Sequence, residues 1–262
     1  MTTLTGRTAL VTGSTSGIGK AIALSLARQG CRIMINGIDG ARALETAREH
    51  MLAAGAQEVA SSDHNLLEPE AAGDLVAMTN STLGGLHILV NNAGIQHVAP
   101  VDSFPDEHWD RIIGLNLTAP FRLIRNALPA MRAAGWGRII NIASVHGLVA
   151  STNKSAYIAA KHGLVGLTKT VALETASEPV TCNAICPGYV RSALLESQIV
   201  DYAAAHDLEL EQAAKSFLRE KQPSENFVSP SDIGALALFL CSDAAAQITG
   251  TAFPIDGGWT AA

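Results

Sequence analysis

Residues Thr8–Gly30 read TALVTGSTSGIGKAIALSLARQG, and this stretch decides the fold. Thr8-Ala-Leu-Val-Thr12 is a short apolar run with strand character that passes directly into Gly13-Ser-Thr-Ser-Gly17-Ile-Gly19. Lys20–Gln29 then reads as a helix, with Gly30 placed to close it at the C′ position. Strand, glycine loop and helix together form the context in which a backbone wraps a pyrophosphate. The glycines permit close approach, and the helix N-terminus offers amide donors and a positive dipole end. The spacing is G-x-x-x-G-x-G rather than G-x-G-x-x-G, so from this stretch alone a purely structural loop stays open.

The same alternation continues outward. Apolar strand-like runs recur at Arg32–Asn36, Val59–Leu66, His87–Gly94, Arg138–Ala143, Val180–Cys186 and Thr251–Ile255. Helical stretches fall at Gly40–Ala54, with apolar positions Leu44, Ala47, Met51 and Leu52, and at Trp109–Met131, Ala156–Thr170 and Pro230–Cys241. Leu194–Lys221 is polar and helical, and its place after a strand end predicts a lid over a site, spanning residues 190–227. Strands alternating with helices, without repeat or linker, predict one α/β domain over residues 1–262 with a doubly wound parallel sheet. Ligands of such sheets bind beyond the carboxyl ends of the strands, where Gly13, Gly94, Ser144 and Pro187 all fall. Asn91 and Asn92 are residues that hold a turn at such an end. Asn116 is a polar residue in apolar helical surroundings, for which a satisfied structural role is the default.

Bulk properties narrow the function. The 262 residues are 48% hydrophobic and 16% charged, which supplies a large core and excludes wholesale disorder. A net charge of −6 without like-charge blocks argues against nucleic acid or an anionic membrane as partner. There is no signal-peptide layout and no apolar run of about 18 residues. Cys31, Cys182, Cys186 and Cys241 form no C-x-x-C pair and read as buried free thiols. A reduced cytoplasmic protein is the expectation, and no metal site is expected.

Ser144–Lys161, SVHGLVASTNKSAYIAAK, carries the chemistry. Tyr157 and Lys161 are four apart on a helix, so they share one face. An ammonium beside a phenol favours the phenolate, and Ser144 stands at the preceding strand end. The three could grip one alcohol or carbonyl oxygen. His146 and Lys154 add donors and a cation close to that oxygen, which suits a small acid. The residue expected against an adenosine ribose falls near Gly37, with Asp39 close but shifted. No Arg or Lys stands at 36–39, and Ser16 occupies a loop position where a basic residue could meet a 2′-phosphate. These residues favour NAD over NADP.

TGSTSGIG at 12–19, NNAG at 91–94, Asn116, Ser144, Tyr157/Lys161 and PG at 187–188 resemble the short-chain dehydrogenase/reductase superfamily over essentially the whole chain. The resemblance implies a Rossmann-type homotetramer using a nicotinamide cofactor, with Asn116, Ser144, Tyr157 and Lys161 as the catalytic set. It places the cofactor against Gly13, Thr15, Ser16, Gly17, Ile18, Gly19, Gly37, Ile38, Asn65 and Leu66. Further along, Asn92, Ala93, Gly94, Tyr157, Lys161, Pro187, Gly188, Val190 and Ser192 complete that set.

Gln96-His97, SVHGLVAS-NKSAY, Gln198 and the ending DGGWTA are further similar to bacterial D-3-hydroxybutyrate dehydrogenases. In that family the equivalents of Gln96, His146, Lys154 and Gln198 hold the substrate carboxylate. The implied reaction is NAD-dependent oxidation of (R)-3-hydroxybutyrate, with Tyr157 as base, Lys161 on the cofactor ribose and Asn116 holding a relay water. A Tyr titrates near ~10, so this role requires its pKa to fall well below that value. The chain departs from the pattern at Tyr189 for Trp, Ser192 for Thr, Ala193 for Pro and Asn65 for Asp. Tyr189 is a smaller substrate wall and leaves a slightly longer acid open. A 3-ketoacyl thioester or a sugar ketone remains an alternative substrate, and a non-catalytic NAD sensor a remote one.

Overall fold

A computed structural model describes residues 4–191 and 193–262; the side chains of residues 193, 194, 197 and 198 lie outside that description. Seven strands form one parallel sheet in the order β3-β2-β1-β4-β5-β6-β7. They are β1 (Thr8–Thr12), β2 (Arg32–Asn36), β3 (Glu58–Ser62), β4 (Ile88–Asn91), β5 (Gly137–Ile142), β6 (Val180–Pro187) and β7 (Ala252–Ile255). Val11 pairs with Ile35 of β2 on one side and Val90 of β4 on the other, so the strand order reverses at β1. A crevice opens at such a reversal.

The helices are α1 (Gly17–Ala27), α2 (Ala41–Ala54), α3 (Ala71–Leu83), α4 (Asp106–Ile113), α5 (Ala119–Ala133), α6 (Ser155–Glu174), α7 (Ala193–His206), α8 (Leu210–Arg219) and α9 (Pro230–Leu240). Alternation along the strands assigns them to two layers. Ala9, Val11, Ile33 and Ile35 face α1, α2 and α9, through Ile22, Leu26, Met51 and Ile233. Leu10, Met34, Leu89 and Ile139 face the other way, onto Leu75 of α3 and Leu123 and Ala127 of α5. Each fully buried Leu or Ile contributes roughly 1.5–3 kcal/mol. These sandwiched strands read as near-continuous apolar runs because both faces are covered.

Several expectations shift. The helix read over Lys20–Gln29 begins at Gly17, inside the glycine loop, and ends at Ala27 with Arg28 as its cap. Gly30 does take a left-handed φ of +74°, but two residues beyond that cap. Leu52, read as an inward position of α2, is 40% exposed, whereas Leu44, Ala47 and Met51 are buried. No element was expected over Ala71–Leu83, where α3 forms. The stretch read as one helix over Trp109–Met131 is α4 and α5 joined by a π-helical segment at Gly114–Thr118, centred on Asn116.

The polar stretch after β6 is two helices, α7 and α8, broken at Asp207, where φ is +52°. They pack on each other through Ile199, Ala203 and Ala213, with Tyr202 and Phe217 alongside. The four cysteines are buried and free, as the sequence implied. No helix among the described residues is long and apolar enough to cross a membrane.

Candidate active site

The crevice is built first by Thr12, at the end of β1. Its hydroxyl accepts from the N–H groups of Asn92 and Ala93, both at 3.0 Å. The Asn92 amide returns bonds to the carbonyls of Thr12 at 2.9 Å and Gly13 at 3.0 Å. The ends of β1 and β4 are thereby joined, and the glycine loop is held over them. A Cβ at Gly19 would collide with the Gly13 carbonyl and the Asn92 amide, so only glycine fits there. The side chain of Ser16 makes no cap bond, which leaves the first-turn amides of α1 facing the crevice.

At one end of the crevice, the Ser14 hydroxyl donates to Val11 O at 2.7 Å and accepts from Asn36 N–H at 3.2 Å. Thr15 donates to the Asp39 carboxylate across the loop. The Asn65 side chain accepts from Leu67 N–H at 3.2 Å, an Asx turn that shapes the β3 exit.

At the other end, β5 delivers Ser144 and α6 delivers Tyr157 and Lys161. Lys161 is 4% exposed; its ammonium donates to Ile142 O at 2.7 Å and lies 5.6 Å from the centre of the Tyr157 ring. Burial pulls the Lys161 ammonium down to about 8, although the nearby Cys186 thiol acts to raise it. Burial pushes the Tyr157 phenol above its ordinary value, and a hydrogen bond with Ser144 acts against that rise. The depression expected from the Tyr157/Lys161 spacing is therefore not produced by the chain's own groups. Desolvation outweighs them in the free protein.

Ser144 also accepts from His146 N–H at 3.1 Å. The His146 ring is buried, 2.9 Å from the Ser151 hydroxyl and edge-on to Tyr157 at 6.1 Å. Burial pulls its pKa down to about 4, with the Lys154 charge acting the same way, so the ring is neutral at ordinary pH. Lys154 is lowered by burial alone. Among the described residues no carboxylate pairs with it.

One cavity of about 690 Å³ joins the two ends. All the expected site residues with described side chains line it except Gly19, which supports the loop from behind, and Asn116. Asn116 is fully buried; its amide both donates to and accepts from the main chain of Ile95, at 2.9 Å each. Its side chain lies behind Gly94, which lines the cavity. Ser192 and the side chain of Gln198 lie outside the described residues.

The cavity also has walls that sequence reasoning missed. Trp259 packs against His146 at 5.4 Å and Tyr189 at 4.8 Å and lines the cavity with them. His64, Ile95, Arg111 and Leu115 line it too, beside Asp39, which the sequence places close to the expected ribose position. Only Trp259 carried a signal, as a large aromatic placed after the glycine pair at 257–258.

Residues 13–260 match the family described as enoyl-(acyl carrier protein) reductase. The chain belongs to the short-chain dehydrogenase/reductase family. It is 52% identical over 260 residues to a D-beta-hydroxybutyrate dehydrogenase of Cupriavidus necator, covering 98% of this chain and 99% of that one. A protein of the same name from Rhizobium meliloti is 49% identical over 255 residues, covering 97% and 99%. The solved structure of a putative short-chain alcohol dehydrogenase from Sinorhizobium meliloti superposes with a TM-score of 0.89 at 36% identity, covering 99% and 98%. Membership of this family implies a nicotinamide cofactor and a small-molecule substrate. The glycine loop, the uncapped α1 amides and the cavity volume fit such a group.

Proposed function

We propose that the protein catalyses reversible, NAD-dependent oxidation of (R)-3-hydroxybutyrate to acetoacetate. One observation carries the reading: a partly buried Lys154, with no carboxylate paired to it among the described residues, and a neutral His146 share the cavity with the Ser144–Tyr157–Lys161 cluster. A cation held out of water without a carboxylate is costly unless an anion joins it. A short hydroxy acid supplies that anion and places its alcohol near Tyr157. A 3-ketoacyl thioester has no carboxylate to offer at that position. The curated relatives at 52% and 49% identity bear the name of the same activity.

When bound, NAD supplies the hydride acceptor and a positive nicotinamide ring. Tyr157 takes the hydroxyl proton of the substrate, and Lys161 holds its phenolate. Ser144 hydrogen-bonds the substrate oxygen as charge develops on it. Gln96, His146, Lys154 and Gln198 orient the carboxylate, with Tyr189 as the wall, and this fixes the face presented for reaction. The cofactor is held by the loop residues Gly13 to Gly19, by Gly37, Ile38, Asn65 and Leu66, and by Asn92, Ala93 and Gly94. At the nicotinamide end Pro187, Gly188, Val190 and Ser192 complete the site.

Asp39 supports NAD rather than NADP, because its carboxylate stands on the cavity wall beside Gly37, with no cation at 36–39. Residues 190–227 act as the substrate lid, the assembly is a homotetramer and the compartment is the cytoplasm. Purified protein mixed with NAD and each enantiomer of 3-hydroxybutyrate tests the reading through the absorbance of reduced nicotinamide. Turnover confined to the R enantiomer supports it. Silence with both enantiomers, alongside normal NAD binding, overturns the substrate, and activity with NADP alone overturns the cofactor. Light scattering on an eluting peak tests the tetramer.

A further inference from the structure

Gln222, three residues beyond α8, is completely buried although it is a polar residue beside an exposed helix end. Its Oε1 accepts a hydrogen bond from the Tyr189 N–H at 2.9 Å, and its Nε2 donates to the Asn226 carbonyl. Main-chain bonds frame it on both sides: Val228 N–H to Tyr189 O at 2.8 Å, Glu225 N–H to Gln222 O at 2.9 Å and Ser224 N–H to Gly257 O at 2.9 Å. Val190 and Val228 complete the contact as a single parallel bridge. One side chain thus meets three segments: the exit of β6, the base of the α7/α8 pair and the turn at Asp256-Gly257.

The packing there leaves no slack. A Cβ at Gly188 would lie 2.5 Å from Gln222 Oε1 and 2.9 Å from Asp256 Cα. What Gln222 holds is the backbone of Tyr189, whose ring forms the cavity wall against Trp259 at 4.8 Å and Phe217 at 5.2 Å. Trp259 in turn rests on His146 at 5.4 Å. A shift of the Tyr189 backbone therefore moves the whole aromatic wall. The glycine loop and its α1 amides are formed by other segments and do not depend on it.

We propose that Gln222 is a positioning residue for the acid-binding end of the cavity. It fixes the Tyr189 backbone and so sets how long a hydroxy acid the cavity accepts. The substrate side of this inference rests on the proposed 3-hydroxybutyrate activity.

Two variants of the full chain test it. Gln222→Met keeps the length of the side chain and removes both bonds, whereas Gln222→Glu keeps the acceptor for the Tyr189 N–H. Amide hydrogen exchange at Tyr189, measured without substrate, is expected to quicken at least tenfold in Gln222→Met and to stay near wild type in Gln222→Glu. KM for (R)-3-hydroxybutyrate is expected to rise at least tenfold in the Met variant, with kcat within threefold. NAD affinity, measured by calorimetry, is expected to hold within twofold. The five-carbon homologue should gain relative to the four-carbon acid. If Gln222→Met fails to fold, Gln222→Asn, one methylene too short to reach the Tyr189 N–H, is expected to give the same quickened exchange and the same rise in KM. Unchanged exchange at Tyr189 overturns the clamp. Faster exchange with unaltered acid KM, or an equal loss in kcat, acid KM and NAD affinity, overturns the positioning role. A wild-type protein inactive on the acid overturns the functional reading, and the exchange measurement still decides the clamp.

Discussion

Asn116 and Ile95 are clasped to each other by two hydrogen bonds, side-chain amide to main-chain N–H and carbonyl, each 2.9 Å long. The clasp sits in the π-helical segment between α4 and α5, and it fixes the loop that brings Gly94 and Gln96 to the cavity. Asn116→Leu would leave both main-chain groups of Ile95 unpaired. The expected cost is ~2–4 kcal/mol of stability, from one or two polar groups stranded away from water. Turnover is expected to fall at least tenfold as Gly94 loses its seat. Asn116→Asp keeps the acceptor, and urea denaturation should show it recovering part of the loss. Equal stability of the Leu variant and the wild type would refute the clasp.

Tyr157 is the group expected to exchange the substrate proton. Tyr157→Phe removes only the hydroxyl, and the ring contact with His146 at 6.1 Å is available to either side chain. Loss of the general base is expected to lower kcat by ~10²–10⁴, while NAD affinity stays within a factor of two. Residual turnover above a tenth of wild type would assign the proton to another group.

Among the described residues no carboxylate pairs with Lys154, and in the proposed reading its ammonium meets the substrate acid. A charge-assisted hydrogen bond of ~1.5–3 kcal/mol corresponds to roughly a ten- to hundredfold change in binding. Lys154→Ala should therefore raise KM for the hydroxy acid by about that factor and leave a neutral secondary alcohol nearly unaffected. An equal effect on both substrates would remove the carboxylate from this end of the site.

Much of the sheet was legible because its strands are buried on both faces: β1 and β2 begin and end where their apolar runs do. Tyr157 and Lys161 were legible for a similar reason, since a spacing of four on a helix fixes their common face. Other features were not. α3 carries Gly73 and the polar run Thr79-Asn-Ser-Thr82, weak helix formers whose place is settled by packing of Leu75 and Leu83. Leu52 looked like a core position but faces outward, because α2 presents a narrower apolar stripe than its sequence suggests. The bond from Thr15 of the glycine loop to Asp39 is a tertiary contact that local spacing does not report. Trp259 and Gln222 come from far along the chain, and only tertiary contacts bring them to Tyr189. The rise rather than fall of the Tyr157 pKa depends on burial, which spacing cannot report.

Asp39 gives a test of cofactor choice. Its carboxylate, bonded by Thr15, lines the cavity beside Gly37, and in the proposed reading a 2′-phosphate there would bring further negative charge. Like charges a few ångströms apart are repelled by ~1–4 kcal/mol near a protein surface. Asp39→Arg should shift the ratio of kcat/KM for NAD over NADP toward NADP by at least tenfold. An unaltered ratio would mean that the carboxylate does not meet the adenosine end.

His146 makes stability depend on pH. Buried beside Ser151 and Trp259, it holds its proton only below about pH 4, whereas an unfolded chain binds that proton near ~6.5. Between those values the unfolded state carries more protons than the folded state, so stability rises with pH across the window. The contribution is complete above about pH 6.5 and is lost progressively as the pH falls toward 4, to a limit of ~3 kcal/mol. His146→Gln, which cannot titrate, should flatten that part of the profile. Urea midpoints of both proteins at about pH 7.5 and about pH 5 check it: the wild type should lose markedly more than the variant. Parallel losses would place the acid sensitivity elsewhere. In the free protein the ring is neutral near pH 7.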